Sequence, residues 1–566
     1  MDISLYDHLK LTAAFAGAIQ QYLQENSITD YEEALLKREK NFVKKKVFLL
    51  VAFDISGVND FIYTITSEGA YKQLRSRAFY VSIINEWLSD TLLDRCNLTR
   101  ANLLFSSMGK TYFLLANTCE NKEVISNLEK AFNEFLAKTY SLKLQVHFGM
   151  SEVSANDLQN NNMQDKYSGM FENIEQQIKN KKLSKGSGKI LRMLNSEVPL
   201  DGRECSVCHS ISNLERDTSK CYFCMKLEKF SNAIQQEENF VVNGQDGGLP
   251  LGFDKYLHAL SNDGILTSND ITYTKNKFNI GSQPKTYLWI PDYSDLEKNE
   301  FNLYVERNWT DRGIKRLGAL ICGIDDLKWA MLAGFSEQNG GMFMSLSRSS
   351  TLMRRLNMFL QVYLNSFAKE MKLKGTFIHS NGGEIFILGA WDSLLDFAME
   401  INKKFAEWTG KKMSVSMGLG IFSKKIPINV ISEKTKLLYQ VAKNNDGDSI
   451  CLFDQNICYN LEDFTENVYG EKFSEVKEFF DNTNEKGSSF IYTLIDLLRN
   501  STNKLSFARL VYCLAKVEER ITDKTAFKKF SDKIVEWFND PMEAMNLELA
   551  LMIYVYKNRR ENSRGK

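Results

Sequence analysis

The chain has 566 residues, of which 43% are hydrophobic and 25% are charged, and its 71 basic side chains balance 71 acidic ones. This length exceeds what one hydrophobic core supports, so we expect three or four domains. No apolar run reaches the roughly 18 residues of a membrane span, and the N-terminus lacks the features of a signal peptide. A cytoplasmic protein without membrane contact is therefore expected, and the zero net charge argues against one that coats nucleic acid through bulk charge.

Three local basic strips are the candidates for contact with nucleic acid. They are residues 35–46, 178–192 and 556–566. Basic side chains can neutralise backbone phosphates without reading the base sequence. Taken alone, each strip is better explained as a solvated helix face or a frayed chain terminus, and contact with nucleic acid remains the alternative.

The first segment with a clear fold pattern begins at residues 45–55, where the apolar run KKVFLLVAFDI predicts a buried strand. A helical stretch through 79–96 and a strand pair joined at Met108-Gly109-Lys110 follow. A helix over about 122–139 and a strand over 142–153 complete the segment. The order β-α-β-β-α-β is that of a ferredoxin-like domain.

A second segment repeats this order. RLGALICGID (316–325) predicts its first strand, and apolar residues on one face of 345–371 predict its first helix. The hairpin FIHSNGGEIFILGAW (377–391), a helix over 393–408 and a strand over 412–422 follow. The sequence therefore predicts an internal duplication, with the two domains packed face to face.

The two hairpins and the two first strands can be aligned without gaps. SMGKTYFLLAN (107–117) aligns with SNGGEIFILGA (380–390), and FDISG (53–57) aligns with CGIDD (322–326). This alignment makes it possible to compare the functional positions of the two domains one by one.

The β-α-β-β-α-β fold is the palm of many nucleotidyl polymerases and cyclases. Their chemistry uses two divalent ions held by carboxylates at the end of the first strand and in the hairpin turn. Asp54 occupies the first-strand position of the first domain, whereas its counterpart in the second domain is Gly323. The first hairpin has Lys110 and no acid, and the second has Gly383 followed by Glu384. Neither domain has a complete set of metal ligands.

Between the two palms, CSVCHSISNLERDTSKCYFC contains two CxxC pairs: Cys205 with Cys208, and Cys221 with Cys224. This spacing supplies four thiolates for a tetrahedral Zn²⁺ site. The competing disulfide interpretation is disfavoured in a reducing cytosol. His209 is surplus to a closed four-cysteine site, and such a site is structural because no position is open to a substrate.

From about residue 456 onward the apolar spacing predicts helices. The last of these, NDPMEAMNLELALMIYVYKNRR, has Asp540 as its predicted N-cap, Pro541 in the first helical position and Glu543 two residues later. The sequence alone indicates only a C-terminal helical bundle.

Several of these motifs carry a resemblance to a known family. FDISGVNDFIYTI, LRSRAFYVSIINEWL and MGKTYFLLANT resemble the first palm domain of the large subunit of type III CRISPR effector complexes, and Csm-type subunits in particular. SLYDHLKLTAAFAGAI, IKRLGALICGIDDL, SLSRSSTLMRRL, GGEIFILGAWDSL and NNDGDSICLFD match the same family in the same order. The resemblance covers nearly the whole chain.

The resemblance implies an α+β protein with two ferredoxin-like palms, a zinc-bearing domain between them and a C-terminal helical bundle. The predicted domains are a helical remnant of the HD-nuclease region (1–46), the first palm (47–195), a zinc-bearing helical linker domain (196–284), the second palm (285–455) and the helical domain (456–566).

Family members bind guide RNA and target RNA together with partner subunits. Many convert ATP to cyclic oligoadenylate with a Gly-Gly-Asp-Asp turn in the second palm, and many cut single-stranded DNA with an N-terminal HD domain. The resemblance also implies that the helical domain docks small helical subunits, and that another subunit binds the 5′ handle of the guide.

The chain departs from the family at these catalytic positions. Without gaps, Asn381-Gly382-Gly383-Glu384 falls on the Gly-Gly-Asp-Asp turn, and superposing the glycines instead puts Glu384 and Ile385 on the two aspartates. The strand end reads Gly323-Ile324-Asp325-Asp326-Leu327, so its leading aspartate is absent. No His-Asp dipeptide is present, and the chain is expected to begin where most of the HD domain has already ended.

We therefore expect a non-catalytic scaffold that binds guide RNA, target RNA and partner subunits. One alternative is a cyclic oligoadenylate synthetase with a rearranged Mg²⁺ or Mn²⁺ site built from Asp325, Asp326 and Glu384. Another is a stand-alone nucleotide sensor that binds ATP without turnover. The weakly indicated nucleotide-binding residues of the first palm are Asp54, Ser56, Gly57, Gly109 and Lys110.

Overall fold

The structure is a computed structural model of the full chain. It describes residues 3–66, 70–107, 109–140, 143–159, 164–184, 203–211, 214–215, 218–260, 270–277, 286–290, 313–332, 345–482, 488–501 and 504–559. Three β-sheets and a C-terminal group of helices make up this part of the chain. Within it, no helix is both long and apolar enough to cross a bilayer.

The first palm is a four-stranded antiparallel sheet in the order β2-β3-β1-β4, as the β-α-β-β-α-β pattern predicts. Its strands are β1 (Phe48–Ser56), β2 (Leu103–Ser107), β3 (Lys110–Ala116) and β4 (Gln145–Val153). The helices of this region are α1 (Leu5–Glu25), a π-helix (Glu32–Lys37), α2 (Glu39–Phe42), α3 (Val58–Tyr63), α4 (Ala70–Arg95), α5 (Cys119–Tyr140), α6 (Ala155–Gln159) and α7 (Gln164–Leu183). All nine residues of β1 are buried, which explains its nearly unbroken apolar sequence.

The described residues between the palms form one helix, α8 (Tyr222–Gln236), and a five-stranded sheet in the order β6-β7-β5-β8-β9. Its strands are β5 (Asn239–Asn243), β6 (Leu249–Gly252), β7 (Lys255–Leu260), β8 (Ile271–Lys275) and β9 (Thr286–Leu288). The sequence predicted a zinc-bearing helical linker domain over 196–284 and did not reveal this sheet. The strands are too short for periodicity to reveal them, and β9 lies beyond the predicted boundary at residue 284.

The second palm repeats the first four strands and adds two more, in the order β11-β12-β10-β13-β14-β15. Its strands are β10 (Leu317–Ile324), β11 (Gly375–Asn381), β12 (Glu384–Ala390), β13 (Val415–Phe422), β14 (Ser449–Leu452) and β15 (Cys458–Asn460). Its helices are α9 (Leu327–Leu332), α10 (Leu346–Met358), a π-helix (Phe359–Tyr363), α11 (Leu364–Glu370), α12 (Trp391–Thr409) and α13 (Ile428–Asn444). The helix predicted over 345–371 is thus interrupted by a π-helical turn.

The C-terminal region is helical, as predicted. Its helices are α14 (Leu461–Asp463), a π-helix (Phe464–Lys472), α15 (Phe473–Asn482), α16 (Ser488–Arg499), α17 (Lys504–Glu518), α18 (Lys524–Phe538) and α19 (Pro541–Asn558). The predicted cap of the last helix is confirmed, because the Asp540 carboxylate accepts hydrogen bonds from the backbone N–H groups of Met542 and Glu543.

In both palms an additional helix after the fourth strand covers the sheet face that the first two helices leave open. Gly149 of β4 lies opposite Ala52, and Gly418 of β13 lies opposite Ile321. A Cβ atom at Gly149 would lie 2.6 Å from a carbonyl oxygen of α7, and one at Gly418 would lie 2.3 Å from a backbone nitrogen of α13. Equivalent glycines therefore admit α7 and α13 to the sheets.

The two palms contact each other reciprocally. The Tyr71 hydroxyl of α4 lies 3.4 Å from Thr376 Oγ1 of β11, and the Asn357 side chain of α10 donates to the Ser106 carbonyl of β2 over 3.1 Å. The first long helix of each palm thus meets the outer hairpin strand of the other. This relation is approximately two-fold.

Candidate functional site

The strand registers decide which hairpin residues of the two palms are equivalent. Asp54 of β1 lies opposite Lys110, and Gly323 of β10 lies opposite Glu384. If Asp54 and Gly323 correspond, then so do Lys110 and Glu384, whereas the ungapped alignment paired Lys110 with Gly383. That alignment is wrong by one residue, because strands buried on both faces are apolar at every position and their sequence does not fix the register.

Gly323 marks the position where the first palm has a carboxylate, and the space in front of it is filled. A Cβ atom at Gly323 would lie 2.1 Å from the hydroxyl oxygen of Tyr439 and 2.7 Å from its Cζ. Tyr439 projects from α13, the helix that Gly418 admits to the sheet. A side chain at position 323 and the observed tyrosine therefore exclude each other.

The same tyrosine is also hydrogen-bonded to the carboxylate of the hairpin, Glu384. The Tyr439 hydroxyl donates a hydrogen bond to Glu384 Oε1 over 3.2 Å, and the Lys443 ammonium donates to the Tyr439 hydroxyl over 3.2 Å. Burial, followed by the nearby Glu384 charge, raises the pKa of Tyr439 well above its ordinary value. The hydroxyl therefore stays protonated and available as a donor.

Asp325, at the end of β10, is buried and hydrogen-bonded on both carboxylate oxygens. Ser416 donates to Oδ1 over 2.6 Å, and Ser414 donates to Oδ2 over 2.8 Å. The backbone N–H of Asp448 donates to Oδ2 over 2.9 Å, which fixes the loop between α13 and β14. These donors satisfy Asp325 as a structural acceptor.

The three carboxylates of the predicted rearranged metal site do not come together. Asp326 is exposed with a left-handed backbone (φ 48°), while Asp325 is buried beneath its hydrogen-bond donors. In the described part of the chain, Asp325, Asp326 and Glu384 form no group of oxygen atoms close enough to share one ion. Two-metal chemistry needs such convergence.

In the first palm, α7 also places a positive charge next to the carboxylate of Asp54. Lys182 of α7 forms an ion pair with Asp54, whose side chain is largely buried. Lys110 lies 3.6 Å from Glu175 of α7, and Glu175 also pairs at 3.0 Å with Lys328 of the second palm. Asp54 and Lys110 are thus adjacent, but each is paired with a side chain of opposite charge on α7.

The other predicted nucleotide-binding positions of the first palm are partly enclosed. Ser56 is buried, with its hydroxyl 3.3 Å from both the Gln145 carbonyl and His147 Nε2. Gly57 adopts a positive φ of 85°, and a Cβ there would lie 1.8 Å from the Lys143 carbonyl oxygen. Only Gly109, in the hairpin turn, has open space around its Cα.

A cavity of about 230 Å³ lies between the palms, and no sequence pattern predicted it. Its walls come from α3, α4, the end of β2, the residues around β9, the α10 region and the end of β11. Polar and aromatic groups that line it include Asn85, Glu86, Trp289, Asn357, Gln361 and His379. Segments this distant in sequence leave no local signal.

His379 lines the cavity and also takes part in the contact between the palms. Its Nδ1 atom lies 2.9 Å from the Tyr63 hydroxyl of α3, and its side chain is half-buried. Burial lowers the pKa of His379 below its ordinary value of 6.5, so the neutral imidazole is favoured. The cavity wall therefore carries little positive charge at this point.

The four cysteines between the palms converge, as predicted. Cys205, Cys208, Cys221 and Cys224 are all buried, and their sulfur atoms lie within 4.8 Å of one another. Hydrogen bonds from the other three thiols lower the pKa of Cys205. Backbone N–H groups also point at the sulfurs, for example that of Cys221, which lies 3.2 Å from Cys205 Sγ. This donor set fits a tetrahedral four-thiolate metal site.

A buried arginine that the sequence did not single out lies against this cluster. Arg77 of α4 is 2% exposed, and its guanidinium donates to Cys224 Sγ over 3.2 Å and to the Phe61 carbonyl over 2.7 Å. Four thiolates around a divalent ion carry a net charge of −2, which provides the counter-charge that a buried guanidinium requires. His209 is exposed and lies 3.4 Å from Glu204, outside the cluster.

Relatives of the chain are single-strand-specific deoxyribonucleases named Cas10/Csm1, of CRISPR subtype III-A. The protein from Streptococcus thermophilus is 36% identical over 99% of this chain and 74% of its own length. The chain belongs to the Cas10/Csm1 family. The Mycobacterium tuberculosis member is also 36% identical, over 100% of this chain and 73% of its own length. The family resemblance inferred from the sequence is thereby confirmed.

Family models and solved structures agree with this membership. The matching models are Csm1 subunit domain B (47–199), the second palm domain of Cas10/Cmr2 (316–451) and the second helical domain of the Cmr2 subunit of a CRISPR RNA silencing complex (477–560). A solved apo Csm1-Csm4 cassette matches with a TM-score of 0.73 at 18% identity, over 97% of this chain and 74% of that chain. A cassette in complex with pppApA matches with a TM-score of 0.75 at 17% identity and the same coverage.

The steric relation between Gly323 and Tyr439 predicts a specific stability pattern. Gly323→Ala should lower the free energy of unfolding by about 1–3 kcal/mol, because the new methyl group overpacks against the tyrosine ring. Tyr439→Leu should remove most of that added cost in the double variant, giving a favourable coupling energy. Urea unfolding of the two single variants and the double variant measures it.

Gly169→Ala is the matched control, because a Cβ atom at Gly169 meets nothing within 4 Å. That variant should be neutral or slightly stabilising, since alanine favours the helix. Additive effects of Gly323→Ala and Tyr439→Leu would show that the tyrosine does not occupy the space in front of residue 323.

Proposed function

We propose that this chain is a scaffold subunit of a type III-A CRISPR ribonucleoprotein and does not catalyse cyclic oligoadenylate synthesis. The observation that carries the proposal is the position of Tyr439, whose hydroxyl fills the space in front of Gly323. A two-metal centre needs carboxylates there and in the hairpin turn. The tyrosine replaces one and hydrogen-bonds the other, Glu384.

The charges around this position support the same function. Lys443 lies behind Tyr439, and its ammonium supplies positive charge where divalent ions would otherwise be needed to balance a carboxylate. Asp325 is held by three donors of its own palm. The side chains that remain thus stabilise the palm itself, and its folded surface is available for assembly.

The proposed partners are guide RNA, target RNA and other effector subunits. Solved structural neighbours are Csm1-Csm4 cassettes, and we propose an equivalent handle-binding subunit as the neighbour of this chain. Of the basic strips, residues 35–46 are fully described, and Lys40, Lys44 and Lys45 there are exposed. The strips at 178–192 and 556–566 lie mostly outside the described residues. Such side chains would contact the RNA backbone and not its bases.

We also propose that the domains have the limits predicted from the sequence, which are residues 1–46, 47–195, 196–284, 285–455 and 456–566. The middle domain then includes a sheet in addition to its helix. Zinc in the four-cysteine cluster would tie the middle segment to the first palm, because Arg77 and Gln73 of α4 donate to Cys224. Docking of small helical subunits on the C-terminal helices is part of the same proposal.

The decisive experiment is an oligoadenylate assay on the assembled complex. The chain is purified with its neighbouring subunits and guide RNA, then given labelled ATP, Mg²⁺ or Mn²⁺, and a complementary target RNA. We expect cleavage of the target, which shows assembly, and no oligoadenylate above a protein-free control, because Asp325, Asp326 and Glu384 do not converge on one ion.

The variants Glu384→Gln and Asp325→Asn should match the parent complex in this assay. Product that disappears in either variant would overturn the scaffold proposal and support a synthetase with a rearranged metal site. Product that persists in both would place the activity in another subunit.

A second candidate function is nucleotide binding without turnover in the cavity between the palms. Its volume of about 230 Å³ and its polar and aromatic walls suit part of a nucleotide. Solved structural neighbours include Csm1-Csm4 cassettes in complex with ATP and with AMPPNP. Ser56, Gly57, Gly109 and Lys110 contribute less to this candidate, because none of them lines the cavity, and Lys143 and α7 lie against Gly57 and Lys110.

Filling the cavity tests this candidate. Ser82→Phe places a ring in the cavity and should weaken ATP binding at least ~10-fold, about 1.4 kcal/mol, in equilibrium dialysis without metal. The control Asp94→Phe introduces the same ring at an exposed position of the same helix and should leave binding unchanged. Equal ATP affinity in the parent and Ser82→Phe would exclude the cavity as the nucleotide site.

The zinc assignment has its own test. The purified chain should hold about one Zn²⁺, measured by plasma mass spectrometry, and Cys224→Ser should lose it together with thermal stability. Arg77→Met keeps all four thiolates but removes their buried counter-charge, so zinc affinity should fall about 10–100-fold. Cys119→Ser alters an exposed cysteine elsewhere and should change neither property. A zinc-free parent with reduced cysteines would refute the assignment.

A further inference from the structure

Two cysteines outside the four-cysteine cluster lie directly opposite each other at the edge of the second palm. Cys451 of β14 pairs with Cys458 of β15 in the antiparallel register. The neighbouring pairs are hydrogen-bonded: the Leu452 N–H donates to the Ile457 carbonyl over 2.8 Å, and the Leu461 N–H donates to the Asp448 carbonyl over 2.8 Å.

Hydrogen-bonded and non-hydrogen-bonded pairs alternate along an antiparallel ladder, so the cysteines form a non-hydrogen-bonded pair. The Cα atoms of such pairs are about 4.5 Å apart. Disulfides bridge Cα separations of about 4.4–6.8 Å, so a bond is possible here without a change of register, at the short and strained end of the range.

The two thiols have different surroundings. Cys451 is fully buried against Leu438 and Ala442 of α13, whereas Cys458 is partly exposed. The Cys451 thiol donates a hydrogen bond to the Asp454 carbonyl over 3.3 Å, while the polar side chains next to Cys458, first Cys451 and then Asn445, lower the pKa of Cys458. The accessible sulfur is therefore the one better suited to attack, and the buried one can only follow.

We propose that Cys451 and Cys458 are a redox-active dithiol that converts reversibly to a cross-strand disulfide by exchange with a small disulfide such as oxidised glutathione. The Cys458 thiolate attacks one glutathione sulfur, which forms a mixed disulfide and releases glutathione thiolate. Cys451 then loses its proton and attacks the Cys458 sulfur, which closes the disulfide and releases the second glutathione. The protein loses two electrons and two protons, and one oxidised glutathione becomes two reduced molecules.

The position of the pair gives the bond a structural consequence. β15 leads directly into α14 and the C-terminal helices, and the loop before β14 holds Asp325. A disulfide would link the last two strands of the second palm at the point where the chain enters the helical region. Short, strained cross-strand disulfides are readily reduced, which makes the link reversible.

The test uses the full chain equilibrated in buffers of increasing oxidised-to-reduced glutathione ratio. After acid quenching, unfolding and alkylation, trypsin releases both cysteines in one peptide, residues 444–472. We expect this peptide to lose both alkyl groups as the ratio rises, which leaves it two hydrogen atoms lighter than the free dithiol, and to recover both alkyl groups after treatment with dithiothreitol. The peptide of residues 317–328, which contains the single buried Cys322, should stay alkylated throughout.

Two variants separate the steps. Cys451→Ser should accumulate one glutathione on Cys458, whereas Cys458→Ser should leave Cys451 unmodified because that thiol is buried. Alkylation of both cysteines at every ratio would overturn the proposal, and so would a stable glutathione adduct on Cys458 of the parent chain. Neither result depends on whether the chain synthesises oligoadenylate.

Discussion

A helix backbone can reach a sheet closely only where the strand beneath it has no side chain, and both palms meet this condition at the same strand position. Gly149 and Gly418 let α7 and α13 settle on faces that would otherwise be open. The consequences differ because the two helices carry different residues. In the first palm, α7 brings Lys182 to Asp54, and in the second, α13 brings Tyr439 to Gly323. The chemistry of each palm is thus set by its covering helix as much as by its strands.

The buried charged side chains of the two palms are each held by an oppositely charged side chain or by hydrogen-bonding groups nearby. Asp54 is balanced by a lysine, Glu384 is held by a tyrosine with a lysine behind it, and Asp325 is satisfied by hydroxyl and backbone donors. Arg77 is buried beside sulfur, so the electrostatics of α4 depend on the charge of the cysteine cluster. Each of the three carboxylates is thus paired with a lysine or hydrogen-bonded, which is the condition for burying it.

The sequence predicted the palms because period and order are local properties. The apolar runs of β1 and β10, the two CxxC pairs and the Asp540 cap each depend on residues close together in the chain. The third sheet was missed because strands as short as Thr286–Leu288 carry no reliable period. The hairpin register was misplaced by one because every position of β12 except its first is buried, so the apolar pattern fits either alignment.

Only part of the candidate site could be predicted from the sequence. The missing carboxylate at Gly323 could be read directly, but its occupation by Tyr439 could not, since 116 residues of chain separate the two positions. The same holds for Lys182 and Arg77, whose partners lie far away in sequence. An absent ligand shows in a sequence, whereas the side chain that takes its place shows only in the fold.

The two palms contact each other reciprocally, and the walls of the cavity between them come from both palms. Ser106 and Ser380, equivalent residues at the ends of β2 and β11, both line it, so it lies across the approximate two-fold relation of the two halves. Had the halves stayed identical, a guest could enter either way round with equal energy. The α4 wall has Glu86, which is paired with Arg100, whereas the opposite wall has neutral amides at Asn357 of α10 and Gln361 of the following π-helix. The two walls therefore offer different polar groups, which would favour one orientation of a molecule with unlike ends.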